Sequence, residues 1–106
     1  MRALLIAASL ALASLSAHAA NQAVLTWTYD LVAWPGATFN VYQGEKGQPK
    51  TQAQTGVSAL TTTISTGLAT GKTYCWDVTA VVGGFETDHS AEACKPFPPP
   101  PTLTVK

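Results

Sequence analysis

Apolar and polar side chains alternate along several short segments of the chain, and this period of two is typical of β-strands. The longest such segment covers residues 73–82, TYCWDVTAVV. Its first face consists of Tyr74, Trp76, Val78 and Ala80. Its second face consists of Cys75, Asp77, Thr79 and Val81. We predict that the first face, which carries the large aromatic side chains, belongs to the core.

Shorter segments of the same character lie on both sides of this strand. We predict strands at residues 24–29, 38–43, 60–64 and about 90–94, and an edge strand or loop at 48–56. Gly, Pro and Asp mark the connections between them, which are the loop 30–37, the turn 44–47 and the hairpin loop 82–88. No segment after residue 19 has the 3.6-residue period of a helix. The pattern therefore predicts an all-β chain folded as a sandwich.

The first nineteen residues have a different character. Arg2 precedes a mostly apolar run at 3–15, and Ala17-His18-Ala19 supplies a small-x-small site. This is the layout of a secretory signal peptide that is removed from the mature protein. A retained membrane anchor is the alternative, but the apolar run is too short to span a bilayer comfortably. We predict a cleaved signal at 1–19 and a secreted or periplasmic protein without a membrane anchor.

The charges of the remaining chain are few and nearly balanced. Five lysines face six acidic residues after residue 19, so the net charge is five minus six, or minus one. No arginine remains in this part of the sequence and the lysines form no basic cluster. Nucleic acid and anionic membrane surfaces are therefore not expected as partners.

The two cysteines, Cys75 and Cys94, are the next feature that carries chemical information. In an exported chain the default for such a pair is a disulfide, closing a loop of about 20 residues. A redox or metal pair is the alternative, but the spacing is far from Cys-x-x-Cys and no histidine cluster accompanies it. We expect a disulfide, with no metal and no cofactor.

Residues 88–90, Asp-His-Ser, contain the side-chain types of a catalytic triad. Neighbouring residues in an extended chain point in alternating directions, so these three cannot form the relay among themselves. His89 is therefore expected to be a solvated loop residue. We also find no paired-carboxylate motif and no phosphate-binding glycine loop. The sequence does not predict an enzyme, and we expect no catalytic residues.

Four sequence features together resemble a fibronectin type III domain. Trp27 stands where that family has a core tryptophan, FNVY at 39–42 resembles its third strand, and LATGKTY at 68–74 resembles its tyrosine corner. YCWDVTAV, the glycine loop and the residues up to Ser90 resemble its last two strands. The resemblance implies an immunoglobulin-like antiparallel β-sandwich over residues 20–95. Since the last two strands of the family are neighbours, it also implies a cross-strand disulfide on the outward face.

The chain departs from the family at its beginning and at its end. The family's first strand, which precedes the tryptophan strand, has almost no counterpart once residues 1–19 are removed. A Pro-rich linker and a strand-like tail occupy 96–106, and PTLTV at 101–105 resembles that first strand. One hypothesis is therefore that Leu103 and Val105 enter the empty groove of a neighbouring copy or another protein. The alternatives are a tail that folds back on its own body and a tail that is disordered.

Two aromatic residues, Trp34 and Phe85, lie in predicted loops and are candidate partner-binding residues. Exposed aromatic side chains anchor protein interfaces or stack on sugars. Large apolar side chains are usually buried, so the favoured interpretation of Trp34 is that it covers one end of the core. The sequence favours a non-catalytic, exported structural or adhesive module that binds a protein or a second copy of itself. A carbohydrate-binding module that uses Trp34 and Phe85 is the alternative function.

Overall fold

A computed structural model describes residues 20–106, so the predicted signal peptide at 1–19 lies outside the described residues. The described chain is all-β and antiparallel, as predicted. In this part of the chain no helix is long and apolar enough to cross a membrane. The strands are β1 (Ala23–Thr26), β2 (Thr38–Glu45), β3 (Thr51–Val57), β4 (Thr61–Ile64), β5 (Lys72–Val82), β6 (Phe85–Glu86) and β7 (Ala93–Phe97).

The strands form two sheets of unequal size. One sheet contains β1 and β4 alone, and the other has the order β3-β2-β5, with β6 and β7 both paired to the far side of β5. The predicted edge strand at 48–56 corresponds to β3, which lies at the edge of the larger sheet. Among residues 20–106 one sheet of the sandwich thus has only two strands.

The core has one apolar cluster towards each end of the sandwich. The first contains Ala23, Val41, Ile64, Tyr74, Trp76 and Phe97. The second contains Ala37, Phe39 and Ala80. We call the first end, where β1 begins and β7 ends, the tail pole. We call the second end, which carries the loop 30–37 and the Gly83-Gly84 turn, the loop pole. The pairing of Thr38 with Val81 places those two connections at the same end.

Tyr74 makes the hydrogen bond that the tyrosine-corner motif predicts. Its hydroxyl accepts a hydrogen bond of 2.9 Å from the backbone N–H of Ala69, five residues upstream. The ring lies in the core with its centroid 6.1 Å from that of Phe97. The corner therefore fixes the turn that leads into β5 while the ring contributes to the core.

The predicted disulfide between Cys75 and Cys94 is present. The two residues are direct partners in the pairing of β5 with β7. Cys94 is exposed and Cys75 is buried, because β5 is the central strand and its outer face is covered by the bond itself and by neighbouring side chains. Closing a loop of about 20 residues stabilises the fold by about 3 kcal/mol in the chain-entropy model.

The last strand differs from the prediction. It runs over Ala93–Phe97 instead of about 90–94, so the folded body extends two residues beyond the expected boundary at Lys95. Phe97 is only 6% exposed and belongs to the core cluster of the tail pole. Pro96 lies in β7 and not in the predicted linker, and it is tolerated there because β7 is an edge strand.

An irregular segment, residues 87–92, separates β6 from β7. Within it the hydroxyls of Thr87 and Ser90 accept hydrogen bonds of 3.0 Å from the backbone N–H groups of Ala80 and Val78. These side-chain oxygens replace backbone carbonyls, so β5 keeps its hydrogen bonds although the neighbouring strand is interrupted.

Candidate functional site

The outer edge of β1 is open. β1 pairs with β4 on one side, and no strand among residues 20–106 pairs with its other side. The backbone N–H of Trp27 donates to Leu60, and antiparallel pairs alternate in their hydrogen bonding. It follows that the backbone groups of Val24 and Thr26 point away from β4, towards the open side. An unpaired strand edge of this kind is a template for another strand.

A groove runs along this open edge, between β1 and the segment 87–93. We call it the β1 groove, and its volume is about 690 Å³. Its apolar lining includes Leu25, Trp27, Tyr29, Val41, Trp76 and Val78. These are inward-facing side chains of both sheets, which a third strand beside β1 would cover. The groove therefore combines unpaired backbone groups with an uncovered part of the core.

Trp27 contributes a further unsatisfied group to the groove lining. Its ring packs against Phe39, with a centroid distance of 5.4 Å. Its indole Nε1 is buried and has no hydrogen-bond partner among the described residues. A buried donor without an acceptor costs about 1–3 kcal/mol. The groove lining would be stabilised by any segment that brought a carbonyl oxygen to this N–H.

A hydrogen bond crosses the groove at the tail pole, and from there the groove extends towards the loop pole. Lys95 Nζ donates a hydrogen bond of 3.0 Å to the backbone carbonyl of Gln22, which links β7 to the residues just before β1. Asn21 Nδ2 donates a hydrogen bond of 2.9 Å to the carbonyl of Leu68. From Val24 the lining continues along the chain to Tyr29. A strand antiparallel to β1 would therefore enter beside Tyr29, at the loop pole.

The C-terminal tail leaves the body at the opposite end. Residues 98–106 form no strand and are exposed, and Leu103 and Val105 are 86% and 88% exposed. The tail begins with four consecutive prolines at 98–101, which we call the proline segment. Each proline fixes its own φ and restricts the preceding residue to extended conformations. A tight reversal into the groove of the same copy is therefore disfavoured.

The loop pole carries a group of exposed apolar side chains. The four residues are Leu31 (38% exposed), Val32 (94%), Trp34 (53%) and Phe85 (69%). More than half of the Trp34 surface is accessible, so this residue does not close the end of the core. Of the predicted partner-binding residues, Trp34 and Phe85 thus share the loop pole, whereas Leu103 and Val105 follow the tail pole.

Asp30 holds the loop that presents Trp34. Its Oδ1 atom accepts hydrogen bonds from the backbone N–H groups of Val32 at 3.1 Å and Ala33 at 3.0 Å. Its backbone carbonyl accepts another from the N–H of Trp34 at 3.0 Å. The exposed side chains are therefore fixed by a hydrogen-bonded turn, which lowers the entropy lost when a partner binds.

A second polar cluster covers the outer face of the larger sheet around Glu86. Its Oε2 atom accepts hydrogen bonds from Thr79 Oγ1 (2.6 Å), the Tyr42 hydroxyl (2.5 Å) and Asn40 Nδ2 (3.2 Å). These bonds, that of Thr79 first, lower the pKa of Glu86 to about 2. The bond to Glu86 raises the pKa of Tyr42. The carboxylate is engaged by its own neighbours, so this cluster stabilises the sheet.

The histidine of the Asp-His-Ser sequence pairs with a residue outside it. His89 Nδ1 lies 2.7 Å from Asp77 Oδ1, and the His89 ring packs against that of Tyr42 at a centroid distance of 4.5 Å, with the ring planes inclined by 54°. His89 is thus more constrained than the solvated loop residue we expected, although half of its side chain is exposed. The Ser90 hydroxyl accepts from Val78 and donates to the carbonyl of Ala91. No relay from Asp88 through His89 to Ser90 exists.

Cys75, Glu92 and Cys94 form the one group of potential metal-ligating side chains found among residues 20–106. The two sulfur atoms are joined in the disulfide, so neither offers the thiolate that a metal requires. The group is therefore a cross-link with an acidic neighbour.

The sequence did not reveal two features of the β1 groove. Val24 lies in β1 and Trp27 packs against both core clusters, as predicted, and both residues also line the open groove. The missing first strand indicated an empty groove, but it did not indicate which residues line that groove. Nothing in the sequence indicates that the Trp27 indole lacks an acceptor among residues 20–106.

The two antiparallel sheets form an immunoglobulin-like sandwich, and the Tyr74 hydrogen bond is the one expected of a tyrosine corner. A solved structure of a Fn3-like protein from Clostridium thermocellum is 38% identical, with a TM-score of 0.58. The similarity covers 81% of this chain and 83% of that one. No family model and no curated protein matches the sequence. The chain belongs to the fibronectin type III-like family, whose fold is typical of non-catalytic modules.

Proposed function

We propose that this protein is an exported, non-catalytic structural module that assembles head to tail. In this assembly residues 101–106 of one copy, the tail strand, add to β1 of the next copy and fill its β1 groove. The observation that carries the proposal is the pairing of an open strand edge with a strand-like tail that leaves from the opposite pole. Strand addition to a free edge is an established mode of protein recognition.

The lengths and patterns of the two segments agree. The groove follows β1 and its continuation over residues 24–29, and the tail strand also has six residues. Leu103 and Val105 project on one side of an extended chain, while Thr102 and Thr104 project on the other. Burial of a large apolar side chain contributes about 1.5–3 kcal/mol, so Leu103 and Val105 would supply most of the attraction.

Insertion into a neighbouring copy is favoured over insertion into the same copy. β7 runs towards the tail pole, so its own tail would have to reverse before it could follow β1. The proline segment opposes such a reversal and extends the chain away from its body. Repetition of one heterologous contact produces an open filament, or a ring where the rotation closes.

Two features support an exported location. Residues 1–19 have the layout of a secretory signal peptide. The disulfide between Cys75 and Cys94 is typical of proteins that fold in an oxidising compartment. The intact mass of the protein recovered outside the cytoplasm tests this directly, since cleavage predicts a chain beginning at Ala20 or Asn21.

The test of assembly is the molar mass in solution, measured by light scattering over a range of concentrations. The chain starting at Ala20 is compared with a version that stops after Phe97. Truncation before Phe97 would remove a core side chain, whereas residues 20–97 contain all the strands and both core clusters of the described chain. We expect oligomers of the full chain and monomers of the shorter one. Monomers in both samples at all concentrations would refute self-assembly.

Carbohydrate binding is the second candidate, and the exposure of Trp34 and Phe85 favours it. Sugar sites combine an aromatic platform with free polar groups. Glu86, the residue next to Phe85, is already engaged by Asn40, Tyr42 and Thr79. A glycan array distinguishes the two candidates. An assembly subunit should bind no sugar selectively, whereas a carbohydrate-binding module should bind particular sugars and should no longer bind them when Trp34 is replaced by alanine.

A further inference from the structure

We infer that the loop pole is a docking surface for the proline segment of a second copy, with Trp34 and Phe85 as its aromatic contacts. This inference rests on the proposed strand exchange, and it assigns a role to exposed apolar residues that lie outside the β1 groove. Successive copies would then share two interfaces: the tail strand in the β1 groove, and the proline segment on the loop pole.

The path of the chain leads to this surface. A tail strand antiparallel to β1 begins beside Tyr29, at the loop pole, and ends near Val24. The residues immediately before it, 98–100, belong to the proline segment and span about 9 Å when extended at about 3.1 Å per residue. They must pass over the loop pole of the acceptor, next to the turn 30–34.

The chemistry of the two surfaces is complementary. Proline-rich segments bind to exposed aromatic side chains because their extended form is already ordered and their rings pack flat against aromatic faces. Trp34 and Phe85 are the exposed aromatics of the loop pole, and Asp30 fixes the turn that carries Trp34. Prolines lack a backbone N–H, so they require few polar partners on the acceptor.

The inference is tested with two synthetic peptides and a tail-free acceptor. The first peptide is PPPPTLTVK, residues 98–106, and the second replaces its four prolines with GSGS. The acceptor is the chain stopped after Phe97, and the full chain with Leu103→Asp and Val105→Asp is used in parallel. Affinities are measured by calorimetry for the acceptor, for Trp34→Ala and Phe85→Ala, and for Lys46→Ala as a control at the tail pole.

We expect Trp34→Ala to weaken binding of the proline peptide about tenfold, as for an aromatic interface anchor. The same change should leave the GSGS peptide unaffected, and Lys46→Ala should affect neither peptide. Equal binding of both peptides, together with no effect of Trp34→Ala or Phe85→Ala, would overturn the docking surface while leaving strand exchange intact. If neither peptide binds either acceptor, strand exchange fails and the docking surface fails with it.

Discussion

Truncation of the two apolar side chains of the tail strand should weaken assembly without affecting the fold of a single copy. In one copy Leu103 and Val105 are 86% and 88% exposed, so neither contributes to its core. In the proposed assembly both side chains are buried against the apolar lining of a neighbouring groove. The informative changes are therefore Leu103→Ala and Val105→Ala, with Thr104→Ala as a control within the same segment.

The expected loss of binding free energy follows from the number of carbon groups that are buried on association and that each substitution removes. Leu103→Ala removes three of them, or about 2.4 kcal/mol at about 0.8 kcal/mol per group, which is roughly a 50-fold loss in association constant. Val105→Ala removes two, or about 1.6 kcal/mol, which is roughly a 15-fold loss. Thr104 projects to the opposite side of the strand, so Thr104→Ala should change the free energy of association by no more than about 0.5 kcal/mol.

Sedimentation velocity over a concentration series measures the association constants, and thermal unfolding of the dilute monomers measures the fold. We expect the two apolar variants to dissociate at higher concentration than the unmodified chain while all four monomers unfold at the same temperature. If Thr104→Ala and Leu103→Ala lowered the association constant equally, the alternating sides of the tail strand would not determine which residues are buried. An unchanged association constant in both apolar variants would refute insertion into the groove.

The remaining predictions concern stability. Replacing Cys75 and Cys94 together by serine should lower the free energy of unfolding by about 3 kcal/mol in a denaturant titration, and an unchanged midpoint would contradict the loop-entropy argument. Tyr74→Phe should lower it by about 1 kcal/mol through loss of the bond to Ala69, with no change in the slope of the same titration. Glu86 has a pKa depressed to about 2, so its stabilisation is complete above its ordinary pKa of about 4.5 and is lost as the pH falls through about 2. The free energy of unfolding of Glu86→Gln should therefore fall less steeply between pH 4.5 and about pH 2 than that of the unmodified protein. An equal pH dependence in the two proteins would contradict a stabilising role of the Glu86 carboxylate.

Much of the sandwich could be predicted because its signals are local. The alternation in β5 identified the core face through Tyr74 and Trp76, and the sequence around Leu68 identified the tyrosine corner. The family's first strand was expected to be missing, and among residues 20–106 the outer edge of β1 is indeed unpaired. Alternation alone identified the core face of β5, whereas the resemblance to the fibronectin type III family was needed for the tyrosine corner and for the missing strand.

The errors arose where contacts distant in sequence decide the structure. Pro96 suggested that the last strand ends before it, but an edge strand accepts a proline and Phe97 is retained by the core. The irregular segment before β7 depends on the hydroxyls of Thr87 and Ser90, which replace carbonyls of a regular strand. The exposure of Trp34 could not be predicted, because aromatic residues in loops are found both buried and exposed.

The position of the open edge makes the protein a natural candidate for circular permutation. β1 begins at the tail pole, which is also where a strand antiparallel to β1 would end. Moving TLTVK from the C-terminus to a position just before Ala20 would need only a short turn to place it along β1 of the same chain. Such a rearranged protein would carry its own third strand, remain a monomer, and resist heat better than the natural order of segments.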